Sequence, residues 1–219
     1  MSLTNKLANN LFDEWRAKDE VEEQARHKYK LEAEELRSLG QCLLPATKLS
    51  EFQCSIEPSS TNTKLKQPTK ADLALLLTWL SYDEDSFSSS NNTTNPAPFF
   101  SRAGAPICEA FAENNLRCLY LEGVDFPLAF AVTKDKNFKI DIMGVFTGAK
   151  RKGVGGLLVQ AVISLIRLSK FKGRYEIDSL ISSILFWRSC GFEVVPPSQI
   201  ETEKMKFLEF QRPMFLEMK

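Results

Sequence analysis

Histidine is almost missing from this chain: among 219 residues there is one, His27. It lies in the run Glu22-Glu23-Gln24-Ala25-Arg26-His27-Lys28, which reads as a solvated helix. A Ser-His-Asp or Cys-His nucleophile and a multi-histidine metal site are therefore close to excluded. Paired cysteines are missing as well. Cys42, Cys54, Cys108, Cys118 and Cys190 include no pair two residues apart, which fits neither a zinc knuckle nor a redox dithiol. No apolar run reaches the ~18 residues of a membrane span, and the N-terminus lacks the apolar segment of a signal peptide. A reducing cytoplasm is the expected location. Net charge is absent too, since 28 basic residues balance 28 acidic ones. No global field draws the chain to nucleic acid or anionic lipid. What is present, 43% hydrophobic and 26% charged residues, predicts a soluble globule of one large domain or a domain with an appendage.

The appendage is the N-terminus. Leu7, Leu11, Trp15, Ala25, Tyr29, Ala33 and Leu36 recur at helical spacing, predicting one long helix from about 4 to 39. Glu14 with Lys18 and Glu22 with Arg26 add opposite charges four apart, and Gly40 is placed to stop the helix. Its apolar stripe fits either a brace along its own domain or a homodimer or partner surface. Leu49–Ile56 alternates as a first strand. Pro68-Thr69 opens a second helix, with Asp72 completing a loose capping box and Leu73, Leu76, Leu77 and Leu80 supplying its buried face. Residues 86–98 read as a polar loop, and 106–114 as a short helix. Arg117–Glu122 and Pro127–Val132 read as a hairpin around Gly123-Val124-Asp125.

The informative stretch follows. Phe138–Val145 reads as a strand and Leu157–Leu168 as a helix whose only polar stripe is Gln160, Ser164 and Arg167. Between them lies Phe146-Thr-Gly-Ala-Lys-Arg-Lys-Gly-Val-Gly-Gly156. A glycine-rich turn entering a helix leaves backbone N–H groups converging on one point, where the helix dipole adds partial positive charge. Lys150, Arg151 and Lys152 add formal charge beside it. A phosphorylated ligand is the expected guest. The Walker loop is excluded because Val154, not Lys-Ser or Lys-Thr, follows Gly153, and the dinucleotide fingerprint is broken by the spacing of Gly153, Gly155 and Gly156.

The segment resembles the acyl-CoA loop of the GNAT superfamily of N-acetyltransferases, Arg/Gln-x-x-Gly-x-Gly/Ala. Lys150 stands at the Arg/Gln position and Gly153 and Gly155 at the small positions, while Val145 and Thr147 match the Val-x-Pro before it, with Thr for Pro. Leu185-Phe-Trp-Arg-Ser-Cys-Gly-Phe192 resembles the family's Phe-Tyr-x-x-x-Gly-Phe segment, and Met205–Gln211 and Met214–Met218 supply closing strands. The resemblance implies an α/β (α+β) GNAT acyl-CoA transferase fold over 41–219, a mixed, mostly antiparallel central sheet flanked by helices, with residues 1–40 as a helical extension. It implies acetyl transfer from acetyl-CoA, as co-substrate, to a primary amine of a small molecule or protein, by direct attack and without metal. Amides from Arg151 through Lys152, Gly153, Val154, Gly155 and Gly156 would hold the pyrophosphate, with Lys150 beside them. Val145, Phe146 and Thr147 would pair with the pantetheine arm and offer an N–H to the thioester oxygen.

The chain also departs from the pattern. The tyrosine that commonly protonates the thiolate falls on Trp187, and an asparagine often found nearby falls on Leu180. Tyr175 is one substitute acid; the other reading assigns none. Asp141, on the strand leading to the loop, is the expected base, with a salt bridge to Lys139 as its structural alternative, and Glu176 and Asp178 are further candidates. Cys190 reads as packing rather than as a nucleophile. The positive charges over 136–174 are partly explained by CoA phosphates, and no interleaved aromatics support nucleic-acid binding. The competing class is a catalytically degenerate CoA-binding or interaction protein on the same scaffold.

Overall fold

The computed structural model describes residues 3–43, 58–88, 99–124, 126–134, 139–146, 152–196 and 211–218. In chain order these form α1 (Leu3–Leu43), β1 (Thr63–Lys66), α2 (Lys70–Ser88), α3 (Phe99–Ala112), β2 (Leu116–Leu121), β3 (Ala129–Lys134) and β4 (Lys139–Val145). Next come α4 (Val154–Leu168), β5 (Gly173–Leu180), α5 (Ile184–Ser189), β6 (Glu193–Val194) and β7 (Gln211–Met218). The class is α/β, as expected, with every described ladder antiparallel. Strands form two sheets, in the orders β1-β2-β3-β4 and β5-β7-β6.

The burial of β2 and β3 explains their sequence. Both are covered by helices, so Leu116–Leu121 and Ala129–Thr133 are buried at nearly every position instead of alternating. Helix α3 packs on β2 and β3, whereas α4 packs on β1, β3 and β4. Orientation along β4 assigns the faces. Gly144 abuts the Phe130 ring, which meets Trp79 of α2 edge-on. Val145, the next residue, turns its side chain to Gly155 of α4.

Helix α2 starts where its capping box predicts. The Thr69 amide and hydroxyl both donate to Asp72 Oδ2 at 2.8 Å, and the Asp72 amide returns a bond to Thr69 Oγ1 at 3.2 Å. Other boundaries differ from expectation. Strand β1, Thr63–Lys66, carries no strong hydrophobic pattern, whereas the expected strand at 49–56 lies outside the described residues. Helix α3 begins at Phe99 and includes Pro106. Residues 86–88 end α2, and the rest of the expected polar loop, 89–98, is outside the described residues. Of the expected strand at 205–211 only Gln211 is described, as the first residue of β7.

Helix α1 corrects the reading of Gly40. The helix runs through it to Leu43. Gly40 is glycine because α1 crosses α2 there: an added Cβ would meet the Ala74 carbonyl and Thr78 Oγ1. Thr78 Oγ1 donates to the carbonyl of Arg37 at 2.9 Å, and Ala33 and Leu36 are 2% and 4% exposed. The last turns of α1 are thus core, bracing α2 and α3 from outside. Earlier in the helix, Val21 and Leu31 are exposed and Glu22 pairs with Arg26 at 3.6 Å.

The crossing sets a test. Gly40→Ala gains about 1 kcal/mol of helix propensity, but a backbone carbonyl cannot move aside as a side chain can, and overpacking costs about 1–3 kcal/mol. We expect a net fall in Tm of several degrees by differential scanning calorimetry; a rise would show that α1 can lift from α2 at no cost.

Candidate functional site

The site begins at the N-terminus of α4. Gly153 occupies the N-cap with φ 74°, a left-handed conformation, and no side chain caps the helix. The first intrahelical bond runs from the Leu157 amide to the Gly153 carbonyl at 3.1 Å. The N–H groups of Val154, Gly155 and Gly156 therefore have no partner within the helix. They point out of the same end, where the dipole of a 15-residue helix is positive. Gly153 and Gly156 have nothing within 4 Å of an added Cβ, so the cradle is open. Gly155 has a second duty. Its Cβ would lie 3.1 Å from Phe186 Cε2 and 3.5 Å from Val145 Cγ2, which makes it a packing glycine. Residues 147–151, with Thr147, Lys150 and Arg151, lie outside the described residues, while Lys152 is exposed at the turn.

Beside the cradle the two sheets part. Strand β4 is the edge of one sheet and β5 the edge of the other. Helix α4 connects them, a crossover that returns the chain in the same direction. Two bonds tie the start of β4 to β5: the Ile140 amide donates to the Tyr175 hydroxyl at 2.9 Å, and Lys139 Nζ reaches Asp178 Oδ2 at 3.5 Å. At the other end, the Phe146 amide donates to the Leu128 carbonyl at 2.7 Å. Ladder alternation then directs the N–H and C=O of Val145 away from β3, toward the seam. An open strand edge and an anion cradle thus lie side by side, suited to an extended amide chain carrying a phosphate group.

The expected catalytic side chains are placed as follows. Asp141 is exposed and forms an ion pair with Lys134 across the hairpin at 2.8 Å; Lys139, the partner named in the structural alternative, goes to Asp178 instead. Four strand residues, about 14 Å, separate it from Val145. Glu176 is exposed on β5. Trp187 is 6% exposed and belongs to the end of α5. The Gly191 amide donates to Arg188 and the Phe192 amide to Trp187, with Gly191 at φ 91° and the Trp187 ring 5.2 Å from Phe192. This is a Schellman cap with its hydrophobic contact. Leu180 is exposed at the end of β5. Tyr175 is 2% exposed, its ring 6.0 Å from Phe192, and burial pushes its phenol up to about 12. Burial also raises the Cys190 thiol, which fits a packing role. The basic surplus is dispersed: Arg174 reaches Glu217 and the Phe215 ring, and Arg167, Lys170 and Lys172 are exposed at the far end of α4, about 20 Å from the cradle.

Two residues at the site carried no individual signal in the sequence. Phe186 was visible only as half of an aromatic pair, yet it lies against Gly155. Trp79 stood in an apolar helix and packs on Phe146 with ring centroids 4.8 Å apart. Among the described residues there is no cluster of His, Cys, Asp and Glu suited to a metal, and no helix long and apolar enough to cross a membrane. A cleft of about 1060 Å³ lies elsewhere, along Glu20–Leu36 of α1.

The chain is similar to several solved structures. A GCN5-related N-acetyltransferase from Rhodopseudomonas palustris is 16% identical, with 72% of this chain covering 96% of that one at a TM-score of 0.51. A GNAT-family acetyltransferase from Staphylococcus aureus is 14% identical, over 72% of this chain and 99% of that one, at 0.49. The ribosomal-protein-S18-alanine N-acetyltransferase from Escherichia coli is 15% identical, over 71% and 93%, at 0.44. No family model and no curated protein matches the chain. The first of these likenesses shows that the chain has the GNAT fold.

Tyr175 makes the seam testable by pH. Its folded pKa, about 12, lies above the ordinary 10, so the neutral phenol is the form that folding favours. That contribution is complete below pH 10 and is lost as pH rises toward 12. Tyr175→Phe keeps the ring but removes the acceptor of the Ile140 amide. We expect a lower Tm than wild type at pH 8 and a shallower decline above pH 10; parallel curves would remove the phenol from the seam's energetics.

Proposed function

We propose that this GNAT-fold chain is an acyltransferase that moves an acetyl group from acetyl-CoA to a primary amine. The observation that carries the reading is the juxtaposition of the uncapped α4 N-terminus with the outward-facing backbone of Val145. The donor set fits the co-substrate. Convergent amides at Gly153–Gly156 would hold a pyrophosphate, with Lys150, Arg151 and Lys152 beside them. Pantetheine is an extended amide chain and would pair with the Val145–Thr147 edge as an added strand, with Phe146 packed behind it. Acetyl-CoA supplies an acyl group already activated as a thioester.

In this reading the chain positions the acyl carbon and stabilises charge on its oxygen through a strand-edge N–H, and an amine attacks directly. Asp141 is assigned the amine's proton. Its distance along β4 means that it acts through water, and its pair with Lys134 fixes where the carboxylate stands. Trp187 is engaged in the α5 cap, so no acid is assigned at that position. This engagement also favours the second reading, a catalytically degenerate CoA-binding protein.

Gly156→Glu tests the cradle without disturbing the fold. Its Cβ meets nothing within 4 Å, and an acidic residue in the first turn of a helix is favoured. Gly155→Glu would confound the result, because Phe186 and Val145 are in the way. By isothermal titration calorimetry we expect micromolar acetyl-CoA binding to wild type and a loss of more than about tenfold in Gly156→Glu, with Tm unchanged or raised. No binding to wild type would sink the reading. For the base, Asp141→Asn should lower kcat about tenfold or more at neutral pH and leave acetyl-CoA affinity intact. An unchanged kcat would remove Asp141 from the chemistry, and no turnover of any amine by wild type would favour the degenerate protein.

A further inference from the structure

The cradle leaves part of the basic surplus without a role. Overall charge balances, yet no acidic residue lies between Asp141 and Glu176. Within that stretch Lys150, Arg151 and Lys152 directly precede Gly153, whereas Arg167, Lys170 and Lys172 gather where α4 turns into β5. All three are exposed, and none pairs with a carboxylate among the described residues. Carboxylates of the neighbouring strands are engaged: Asp141 with Lys134, Asp178 with Lys139, and Glu217 with Arg174. Glu176 is exposed on the face of β5 that also carries Arg174 and Asp178. The chain between Lys134 and Lys139, outside the described residues, adds one acid and one base, Asp135 and Lys136, which leaves the surplus unchanged.

Two features set this turn apart from an ordinary solvated end. Leu168, the last residue of α4, is 79% exposed among these cations. It does not anchor the turn, because Ile166 before it is buried and Phe171 after it packs back against the core. Lys170 has φ 60°, a left-handed conformation. The other described residues with positive φ are glycines and Asn114, types that adopt it readily. Lysine there strains the backbone where glycine would not, and strain of this kind collects at functional positions. The dipole of α4 accounts for a cation at its C-terminus, and Arg167 in the last turn already supplies one. It accounts neither for Lys172, beyond the helix, nor for Leu168.

We propose that the α4–β5 turn is a docking surface for an anionic lipid bilayer. Such a surface combines an apolar residue that enters the headgroup layer with cations that stay among the phosphates. Leu168 is placed to enter, and Arg167, Lys170 and Lys172 have side chains long enough to reach back to the headgroups. Nucleic acid fits less well. Its backbone would meet the cations, but a leucine gives bases nothing to stack on, and Phe171, the aromatic residue of the turn, is packed against the core. Three cations and one leucine make a weak and reversible contact rather than an anchor. The cradle lies at the other end of α4, about 20 Å along the helix, so docking leaves it uncovered. The inference is independent of the function proposed above.

Co-sedimentation of the full chain with vesicles tests it. At low salt we expect binding to vesicles rich in phosphatidylserine and none to pure phosphatidylcholine. Leu168→Ser alters no charge and should weaken binding about threefold or more. Lys172→Gln and Lys170→Gly should each weaken it about fivefold. Lys170→Gly should also raise Tm by relieving the left-handed lysine, so its weaker binding cannot come from unfolding. Absence of binding to the phosphatidylserine vesicles overturns the inference, as does equal binding to neutral ones. Binding that Leu168→Ser leaves unchanged overturns it too, because the turn then acts through charge alone, as a nucleic-acid surface does. Calorimetric titration of acetyl-CoA into the same variants reports separately on the cradle and should match wild type. Acetyl-CoA binding without vesicle binding sinks only this inference, whereas vesicle binding without acetyl-CoA binding sinks only the proposed function.

Discussion

The structure turns on the failure of two strands to pair along their length. The start of β4 is tied to β5 by the Ile140 amide to Tyr175 and by Lys139 to Asp178. Each then serves as the edge of its own sheet. An open strand edge invites pairing with another chain, and folds usually cover or charge it. Here the edge runs into a glycine turn and an uncapped helix, so the exposed backbone donors of both elements lie together. Neither feature would make a site alone. The tie at Tyr175 matters because the seam must be closed at one end for the other end to have a defined shape.

The faces of β4 are then fixed by small residues placed where helices or rings come close. Gly155 admits Phe186 and Val145 on the α4 side, and Gly144 admits the Phe130 ring on the α2 side. Gly40 does the same one layer further out, letting α1 lie on Ala74 and Thr78. Through this crossing Ala33 and Leu36 enter the core, so removing the first 39 residues would strip packing from α2 as well as any partner surface. A truncation that probes the exposed part of α1 alone must retain Ala33 onward.

Much of this was legible in the sequence, for reasons that can be named. The glycine turn, the strand before it and the apolar helix after it are local patterns, and local geometry produced them. The capping box at Thr69 and Asp72 was legible for the same reason. The reading failed where a residue's role depends on something distant in the chain. Gly40 looked like a helix stop because glycine usually is one, but contact with α2 decides its place. For Asp141 the structural alternative to a base named Lys139 as its ion-pair partner, whereas the hairpin brings Lys134 to it. Tyr175 lies on the buried face of an alternating strand and Trp79 in an apolar helix. Nothing local distinguishes a bolt across a seam from ordinary core.

The substitution at Trp187 weighs less against catalysis than it first suggests, because the two proton transfers in an acetyl transfer are unequal. The leaving group is a thiolate, and an ordinary thiol has a pKa near 8.5, so at neutral pH its anion lies only about 2 kcal/mol above the protonated form. A lysine-like amine has a pKa near 10.4, so at pH 7 only about one molecule in 2,500 is neutral, a handicap of about 4.6 kcal/mol. Losing an acid forfeits the smaller term; losing the base forfeits the larger one. Trp187 in turn holds Phe192 and the end of α5, and through the adjacent Phe186 that helix reaches Gly155. A site on this scaffold can therefore give up its tyrosine for packing that fixes the cradle and still act, provided that a carboxylate such as Asp141 takes the proton from the amine.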